Sequence, residues 1–288
     1  MKAEPGSSTL VGVNYKAQLR DDLLQNASAL DILEVTTEKL FIKDDDPVLQ
    51  SLIERLPISL HGLDMSLGST ASLDVDYLRK LKDVLAWYPH TWFSDHLSLT
   101  EEGGVEVGHL MPMKLSEEAL ANTIEKIRTV RRFSDKAFLI ENITYYYPVP
   151  GSDIPETTFI SQVAEKADCG LLLDVNNLYI NAVNHGFDPE QYLQSLPLER
   201  VVEIHLAGGS RKFGMIVDTH ATDVWGDVWR LFDRVCDLVR PQAVIIERDA
   251  NFGAFSQTLE ELDIARDILA RHGHCKRPGK VISQTAAA

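Results

Sequence analysis

Residues 170–177 read GLLLDVNN. Three consecutive leucines form a short apolar run of the kind a chain buries on both faces, as in a parallel-sheet strand. The run stops abruptly on Asp174, followed by Val175, Asn176 and Asn177. A fully buried strand has no use for a bare carboxylate at its end unless that end arrives somewhere polar. The pattern recurs. AFLIEN (137–142) closes on Glu141, RVVEIHLAG (200–208) carries His205, and QAVIIER (242–248) closes on Glu247. Four apolar runs that finish on an acid or an imidazole ask for a common cause.

Working outward, eight strand-like runs can be read: 10–14 (LVGVN), 29–35 (ALDILEV), 57–62 (PISLHG), 91–98 (TWFSDHLS), 137–142, 169–175 (CGLLLDV), 200–208 and 242–248. Between them lie segments with apolar residues at helical spacing. The clearest is 116–133, with Ser116 as N-cap and Glu117 and Glu118 at the positive end of the helix dipole. Another is 223–239, where Trp225, Val228, Trp229, Leu231, Phe232 and Val235 mark the buried side. Strands alternating with helices imply βαβ units and a parallel sheet. Eight units with no linker or change of composition predict an α/β fold, a closed (β/α)8 TIM-like barrel in a single domain over 10–271. An open doubly wound sheet would carry a glycine-rich turn after its first strand, and VGVNYKAQ (11–18) has none. Residues 1–9 and 272–288 read as flexible termini.

Composition narrows the function. The formal net charge is −15, which argues against a nucleic-acid partner because phosphate binding needs a basic face. The three cysteines, Cys169, Cys236 and Cys275, show no C-x-x-C spacing and are too few and too odd for a disulfide framework. They suit reduced thiols in the cytoplasm. No apolar stretch is long enough for a membrane span, and the first residues lack a signal-peptide core.

In a (β/α)8 barrel the strand C-termini converge on one mouth, where catalytic residues gather. His61, His96, Glu141, Asp174, His205 and Glu247 all fall at such ends. VDTHATD (217–223) adds Asp218 and His220, two residues apart and so able to face one centre in extended chain. Half-buried carboxylates crowded together repel one another and take up protons unless cations offset them. With no cysteine in the set, a mixed nitrogen and oxygen site for Fe, Mn, Zn or Co is favoured. Eight ligands exceed the need of one ion, so two or three ions with bridging carboxylates fit better. Asn177 and His185, in the segment after the sixth strand, are further candidates, although NAVNHG (181–186) also reads as turn chemistry. His109 sits on the correct side in a long loop, His90 belongs to the opposite face, His272 and His274 lie in the tail, and Glu34 is left unassigned.

The motifs SLHGLDMSLGS (59–69), FSDHLS (93–98), IENITYY (140–146), LLLDVNNLYINAVNHG (171–186), EIHLAGG (203–209), DTHATDVWGDVW (218–229) and IIERD (245–249) together resemble the multinuclear non-heme iron-dependent oxidative enzymes, over about residues 11–269. The resemblance implies a TIM-like barrel holding two or three irons, with both ferrous and ferric states, and O2 as co-substrate. It implies bacterial enzymes that oxidise a ribosomally made precursor peptide, mostly at cysteine, with a small partner protein that binds the peptide's leader. Carried over, His61, His96, Glu141, Asp174, His205, Asp218, His220 and Glu247 match the family's metal ligands, and the segments holding Asn177 and His185 match as well. Length and loop wording are similar to the member that removes a cysteine β-carbon in 3-thiaglutamate biosynthesis. A C-terminal cysteine substrate would need a carboxylate anchor, for which Arg211, Lys212 and Arg248 are candidates. Tyr145, Tyr146 and Tyr147 are candidate anchors for the partner, since tyrosine is enriched at binding hot spots.

Two other classes use similar ligands on similar barrels. A divalent-metal sugar isomerase would need polar groups for several hydroxyls, which the apolar LDMSLG (63–68) and HLMPM (109–113) loops do not supply. A zinc-dependent endonuclease would need a basic surface.

Overall fold

Strands β1 (Leu10–Asn14), β2 (Ile32–Thr36), β3 (Ile58–Gly62), β4 (Trp92–His96), β7 (Ala137–Glu141), β8 (Gly170–Asp174), β9 (Val201–Leu206) and β12 (Ala243–Ile246) pair in parallel and close on themselves in the order β1-β12-β9-β8-β7-β4-β3-β2. The computed structural model describes residues 8–42 and 46–275. Each barrel strand corresponds to a run expected from the sequence. Register is tight: Val13 pairs with Ile246 on one side and Leu33 on the other, which seals β1 between the last strand and the second.

The two-residue repeat of a strand explains how the barrel is filled. Ile32, Trp92, Leu139, Leu172, Val202, Ala243 and Ile245 form a separate buried cluster, with Leu10 packed against it. Two residues further along the same strands come Glu34, Ser94, Glu141, Asp174 and Glu247, and His96 two beyond Ser94. An apolar plug therefore fills one end of the bore, and a layer of acids and imidazoles lies on top of it. The larger core packs the outer face of the strands against the helices, including Phe138, Phe159, Phe232 and Leu262.

Three features depart from the sequence reading. The segment after β8 is not a loop: a helix, Val175–His185, begins at once, and Asp174 is its N-cap, accepting a hydrogen bond of 2.7 Å from the Asn177 amide. That helix ends on Gly186, whose φ of 73° supplies the left-handed turn. Two antiparallel hairpins rise from the mouth, β5 (Leu99–Glu102) with β6 (Val105–Met111), and β10 (Gly209–Lys212) with β11 (Met215–Asp218). The chain ends are also tied in more firmly than expected. Thr9 is buried and donates its hydroxyl to the Pro241 carbonyl, its amide donates to the His274 carbonyl, and His272 contacts Asp233. The rest of both expected flexible termini, 1–7 and 276–288, lies outside the described residues.

The helix read at 116–133 runs over Glu117–Val130, with the Ser116 side chain capping it as expected. The helix read at 223–239 runs over Gly226–Leu238 and buries Val228, Leu231, Phe232 and Val235.

Barrel closure places Gly12 where a Cβ would lie 1.9 Å from the Ile32 carbonyl oxygen, a backbone atom that cannot swing aside. Gly12→Ala is therefore expected to lose about 3 kcal/mol of stability. Denaturant unfolding checks it, with Gly226→Ala, where only the tip of Arg230 is near, as the silent control.

Candidate metal centre

Six strand ends and one hairpin build the site. Glu141 is its pivot. On one side, His61 Nε2 and His96 Nε2 lie 3.2 and 3.1 Å from Glu141 Oε2, the two rings edge to face at 4.5 Å. On the other side, His205 Nδ1 lies 3.5 Å from Glu141 Oε1 and 3.0 Å from Glu247 Oε2. Asp174 joins this second set: one atom each of Glu141, Asp174, His205 and Glu247 lie within 4.8 Å of one another, as do those of His61, His96 and Glu141. Glu141 thus belongs to both groups. The second hairpin brings Asp218 and His220, with His220 Nε2 2.9 Å from Asp218 Oδ1 and 4.0 Å from Asp174 Oδ2, and Nδ1 3.4 Å from Glu247 Oε2. His220 holds a φ of 44°, a costly backbone for a side chain of its kind and a feature that gathers at functional sites.

The electrostatics are those of a site built for positive charge. Burial pushes the Glu141 carboxyl up, but the imidazoles of His96, His61 and His205 outweigh it and bring it down to about 2. Glu247 follows the same logic: burial raises it, and His205 and His220 hold it well below the usual carboxylate range. Asp174 goes the other way. Burial and the neighbouring Glu141 charge drive it well above that range. Burial pulls His205 down, yet Glu247, Glu34 and Glu141 together raise it far above a normal imidazole, and His220 behaves likewise through Asp218 and Glu247. Without cations the layer can relieve itself only by shuffling protons.

Hydrogen bonding agrees. Glu141 Oε2, Asp174 Oδ2, His205 Nδ1 and His220 Nε2 are buried and have no aligned hydrogen-bond partner. Buried polar atoms are almost always paired. Glu141 Oε2, His205 Nδ1 and His220 Nε2 each lie 2.9–3.2 Å from a neighbouring polar atom but not in bonding direction, as atoms do when they converge on a third body. The donor set is oxygen and imidazole nitrogen without sulfur, which fits several first-row divalent or trivalent ions and excludes none of iron, manganese, zinc or cobalt. The clusters are consistent with more than one metal ion.

The remaining atoms of these residues are held by the protein. Ser94 Oγ contacts His61 Nδ1 at 2.8 Å, and the Gly62 carbonyl accepts from His96 Nδ1 at 3.1 Å. Asn142 and Asp174 exchange backbone and side-chain bonds, Nδ2 to the Asp174 carbonyl and Oδ1 from the Asp174 amide. Asn176 Nδ2 donates to Asp218. Such partners fix ligand orientation.

Several sequence-predicted residues are placed elsewhere. Asn177 accepts from Thr144 at 2.6 Å and donates to the Asn142 carbonyl at 3.1 Å, so both ends of its amide are occupied. His185 stacks on the Tyr145 ring and its Nε2 donates to the Tyr145 carbonyl at 2.9 Å. Both lie on the Val175–His185 helix rather than in the loop that was expected, and these bonds commit their side chains to the β7 end and the segment after it. Arg248 is buried and bonded to Asp223 (2.9 Å) and Glu261 (2.8 Å), bracing the second hairpin's outgoing loop against the last helix. Arg211 and Lys212 are exposed on the second hairpin, Arg211 5.6 Å from the Trp225 ring. His109 is exposed on β6. Tyr145 is committed to His185, whereas Tyr146 and Tyr147 are exposed. In the opposite direction, sequence reasoning left Glu34 unassigned and missed Glu203. Glu34 Oε2 accepts from His205 Nε2 at 2.9 Å, and Glu203 accepts from Ser59 and Trp92. The inward period of β2 and β9 could have found both.

Comparison with known proteins fits this geometry. Residues 10–270 match the sequence model of the RiPP precursor modification enzymes MbnB/TglH/ChrH, RiPP denoting a ribosomally synthesised and post-translationally modified peptide. The chain belongs to that family. Its relatives include UPF0276 proteins of Caulobacter vibrioides (36% identical; 82% of this chain, 85% of the relative) and of Neisseria meningitidis serogroup B (36%; 92% and 98%). Among solved structures, endonuclease IV from Thermus thermophilus (16% identical, 91% of this chain, 99% of that one, TM-score 0.60) and a xylose isomerase domain protein from Alicyclobacillus acidocaldarius (16%, 93% and 100%, TM-score 0.60) share the barrel. At that identity the likeness is one of fold alone. Among the described residues no helix is long and apolar enough to cross a membrane.

Asp174 serves the helix and the cluster at once, and the two roles separate. Asparagine caps a helix as well as aspartate does. Asp174→Asn is expected to keep stability within about 1 kcal/mol while at least halving the bound metal, measured by elemental analysis beside a thermal melt. His205→Ala should lose metal to a similar degree.

Proposed function

We propose that this chain is an iron- and O2-dependent enzyme that oxidises a cysteine of a ribosomally made precursor peptide. The observation that carries the reading is Glu141, placed between an imidazole pair on one side and Asp174, His205 and Glu247 on the other, within a chain of the RiPP precursor modification family. One iron would be held by His61, His96 and Glu141. A second would be held by Glu141, Asp174, His205 and Glu247, with Asp218 and His220 completing it or holding a third. Bound there, iron would supply dioxygen activation and Lewis-acid capture of the substrate thiolate.

The chain's own residues do the rest. The apolar plug beneath the layer keeps the bore closed, so the site opens only at the mouth. Bonds with Ser94, the Gly62 carbonyl and the Asn177 amide fix the directions of the His61, His96 and Asp174 side chains before any ligand arrives. A cavity of about 260 Å3 opens beyond the ends of β4 and β7, lined by Leu97, Met113, Ile143, Tyr145, Tyr147 and Val149 among others. Leu97 and Asn142 in its wall directly follow His96 and Glu141, so an apolar residue beside the modified cysteine would fit there. Arg211 and Lys212 on the second hairpin would bind the carboxylate of a C-terminal cysteine, the substrate for β-carbon removal. Delivery by a small leader-binding protein would raise the local concentration of that cysteine. Exposed Tyr146 and Tyr147 beside the mouth offer a docking point.

Purified anaerobically, the protein should contain iron, and a cysteine-bearing precursor should change mass only when O2 is admitted. Full turnover without O2, or with zinc in place of iron, would sink the oxidase reading. Replacing both Arg211 and Lys212 by Ala should raise KM about tenfold or more for a C-terminal cysteine with kcat nearly unchanged, since such an anchor binds substrate without touching the reaction.

A further inference from the structure

His205 differs from the other two strand-end histidines in the nitrogen it offers. His61 and His96 point Nε2 at Glu141, their Nδ1 atoms being engaged by Ser94 and the Gly62 carbonyl. His205 presents Nδ1 to Glu141 and Glu247, while Nε2 faces Glu34 at 2.9 Å. Glu34 comes from β2 and His205 from β9, strands that are not neighbours in the barrel, so the bond crosses the bore. Both groups are fully buried.

We propose that Glu34 is a positioning residue for the metal centre: its carboxylate accepts the Nε2 proton of His205 and thereby makes Nδ1 the metal-binding nitrogen. This rests on the metal-centre reading above. A competing role for Glu34, as a ligand in a cluster with Glu203 and His205, fails on hydrogen bonding. Those three residues do lie close enough to hold an ion. Yet Glu203 Oε1 accepts from Ser59 at 3.2 Å, Glu203 Oε2 accepts from the Trp92 indole at 2.7 Å, and Glu34 Oε2 accepts from His205. Around His205, the buried atoms without a partner lie on its Nδ1 side, at Nδ1 itself, Glu141 Oε2 and Asp174 Oδ2, and no atom of Glu34 or Glu203 is left in that state. A carboxylate behind a ligating imidazole fixes its tautomer and strengthens it as a donor.

The test uses the full chain loaded with zinc, which is diamagnetic, and 15N-labelled histidine. Long-range 1H–15N correlation spectra distinguish Nδ1-bound from Nε2-bound imidazole, and His205→Gln assigns the His205 signals. The wild type should show His205 bound through Nδ1 with Nε2 protonated. In Glu34→Gln the amide oxygen still accepts that proton, so the pattern should persist and zinc affinity fall by less than about tenfold. In Glu34→Met, similar in size but without an acceptor, the pattern should vanish and affinity fall about 10–100-fold. Bound zinc with His205 coordinated through Nε2, or Glu34→Met with the wild-type pattern and affinity, overturns the role of Glu34 while leaving the centre standing. If Glu34→Met does not fold, the wild-type spectrum together with Glu34→Gln decides. Wild-type protein that binds neither zinc nor iron sinks the centre and this inference with it.

Discussion

Everything at the mouth follows from one electrostatic constraint. Glu141 is buried at the end of β7 with imidazoles on two sides, and Asp174, Glu247 and Glu34 are buried within reach of the same imidazoles. A lone buried carboxylate would take up a proton, and a lone buried imidazole would lose one. In this layer the two tendencies are set against each other, and the result is uneven. Glu141 and Glu247 are held down, Asp174 is driven up, and His205 and His220 are strongly raised. Proton sharing alone leaves four buried polar atoms without aligned partners. Cations meet both needs at once, supplying charge to the carboxylates and a common target for the orphaned atoms.

The barrel makes this possible by keeping apolar and polar burial in separate layers. Three strands place an apolar residue inward and a candidate ligand two residues later: Leu139 then Glu141, Leu172 then Asp174, Ile245 then Glu247. Burial of the lower layer supplies stability through ordinary hydrophobic packing. The upper layer adds little that is favourable until ligands bind, since desolvating so many charges is costly. Glu203 marks the seam between the two. It is fully buried, and burial pushes its carboxyl up to about 8 against the bonds from Trp92 and Ser59. A protonated Glu203 would add no negative charge beneath the centre and still bond to its neighbours.

The period of two also explains what could be read from the chain. The eight barrel strands were legible because each is an apolar run with turn or helix signals on both sides, and the residues that cluster at the mouth were legible because a charge or an imidazole interrupts the run near its end. Asn177 and His185 were read as loop residues because DVNNLYINAVNHG carries asparagines that suit loops, yet Asp174 caps a helix there. Both hairpins were missed because GSRKFGMIVD and LTEEGGVEVGHLM are short, half-exposed strands with little alternation to betray them. Arg248 looked free in sequence since Asp223 and Glu261, its partners, are 25 and 13 residues away. Tertiary pairing of that kind leaves no local signal. Glu34 was noticed at the end of its run and left unassigned, whereas Glu203 was hidden inside its own run, where an acid in a strand reads as an outward residue.

The same fold carries endonuclease IV and sugar-modifying enzymes at 16% identity or less, so the barrel itself selects no chemistry. Selection here lies in how the ligands are mounted. His61, His96, Glu141, Asp174 and His205 stand on strands whose backbones are locked by parallel pairing on both sides. Asp218 and His220 stand on the second hairpin and the turn after it, steadied by single bonds: Asn176 and the Tyr146 hydroxyl hold Asp218, and the Asp249 amide donates to the His220 carbonyl at 2.7 Å. His220 also sits in a left-handed backbone that only such contacts keep in place. The centre therefore has a rigid half made by the barrel and a half whose geometry depends on the hairpin that also carries Arg211 and Lys212. Whatever those two residues bind is mechanically continuous with two of the candidate ligands, through a β-ladder in which Gly209 pairs with Asp218 and Lys212 with Met215.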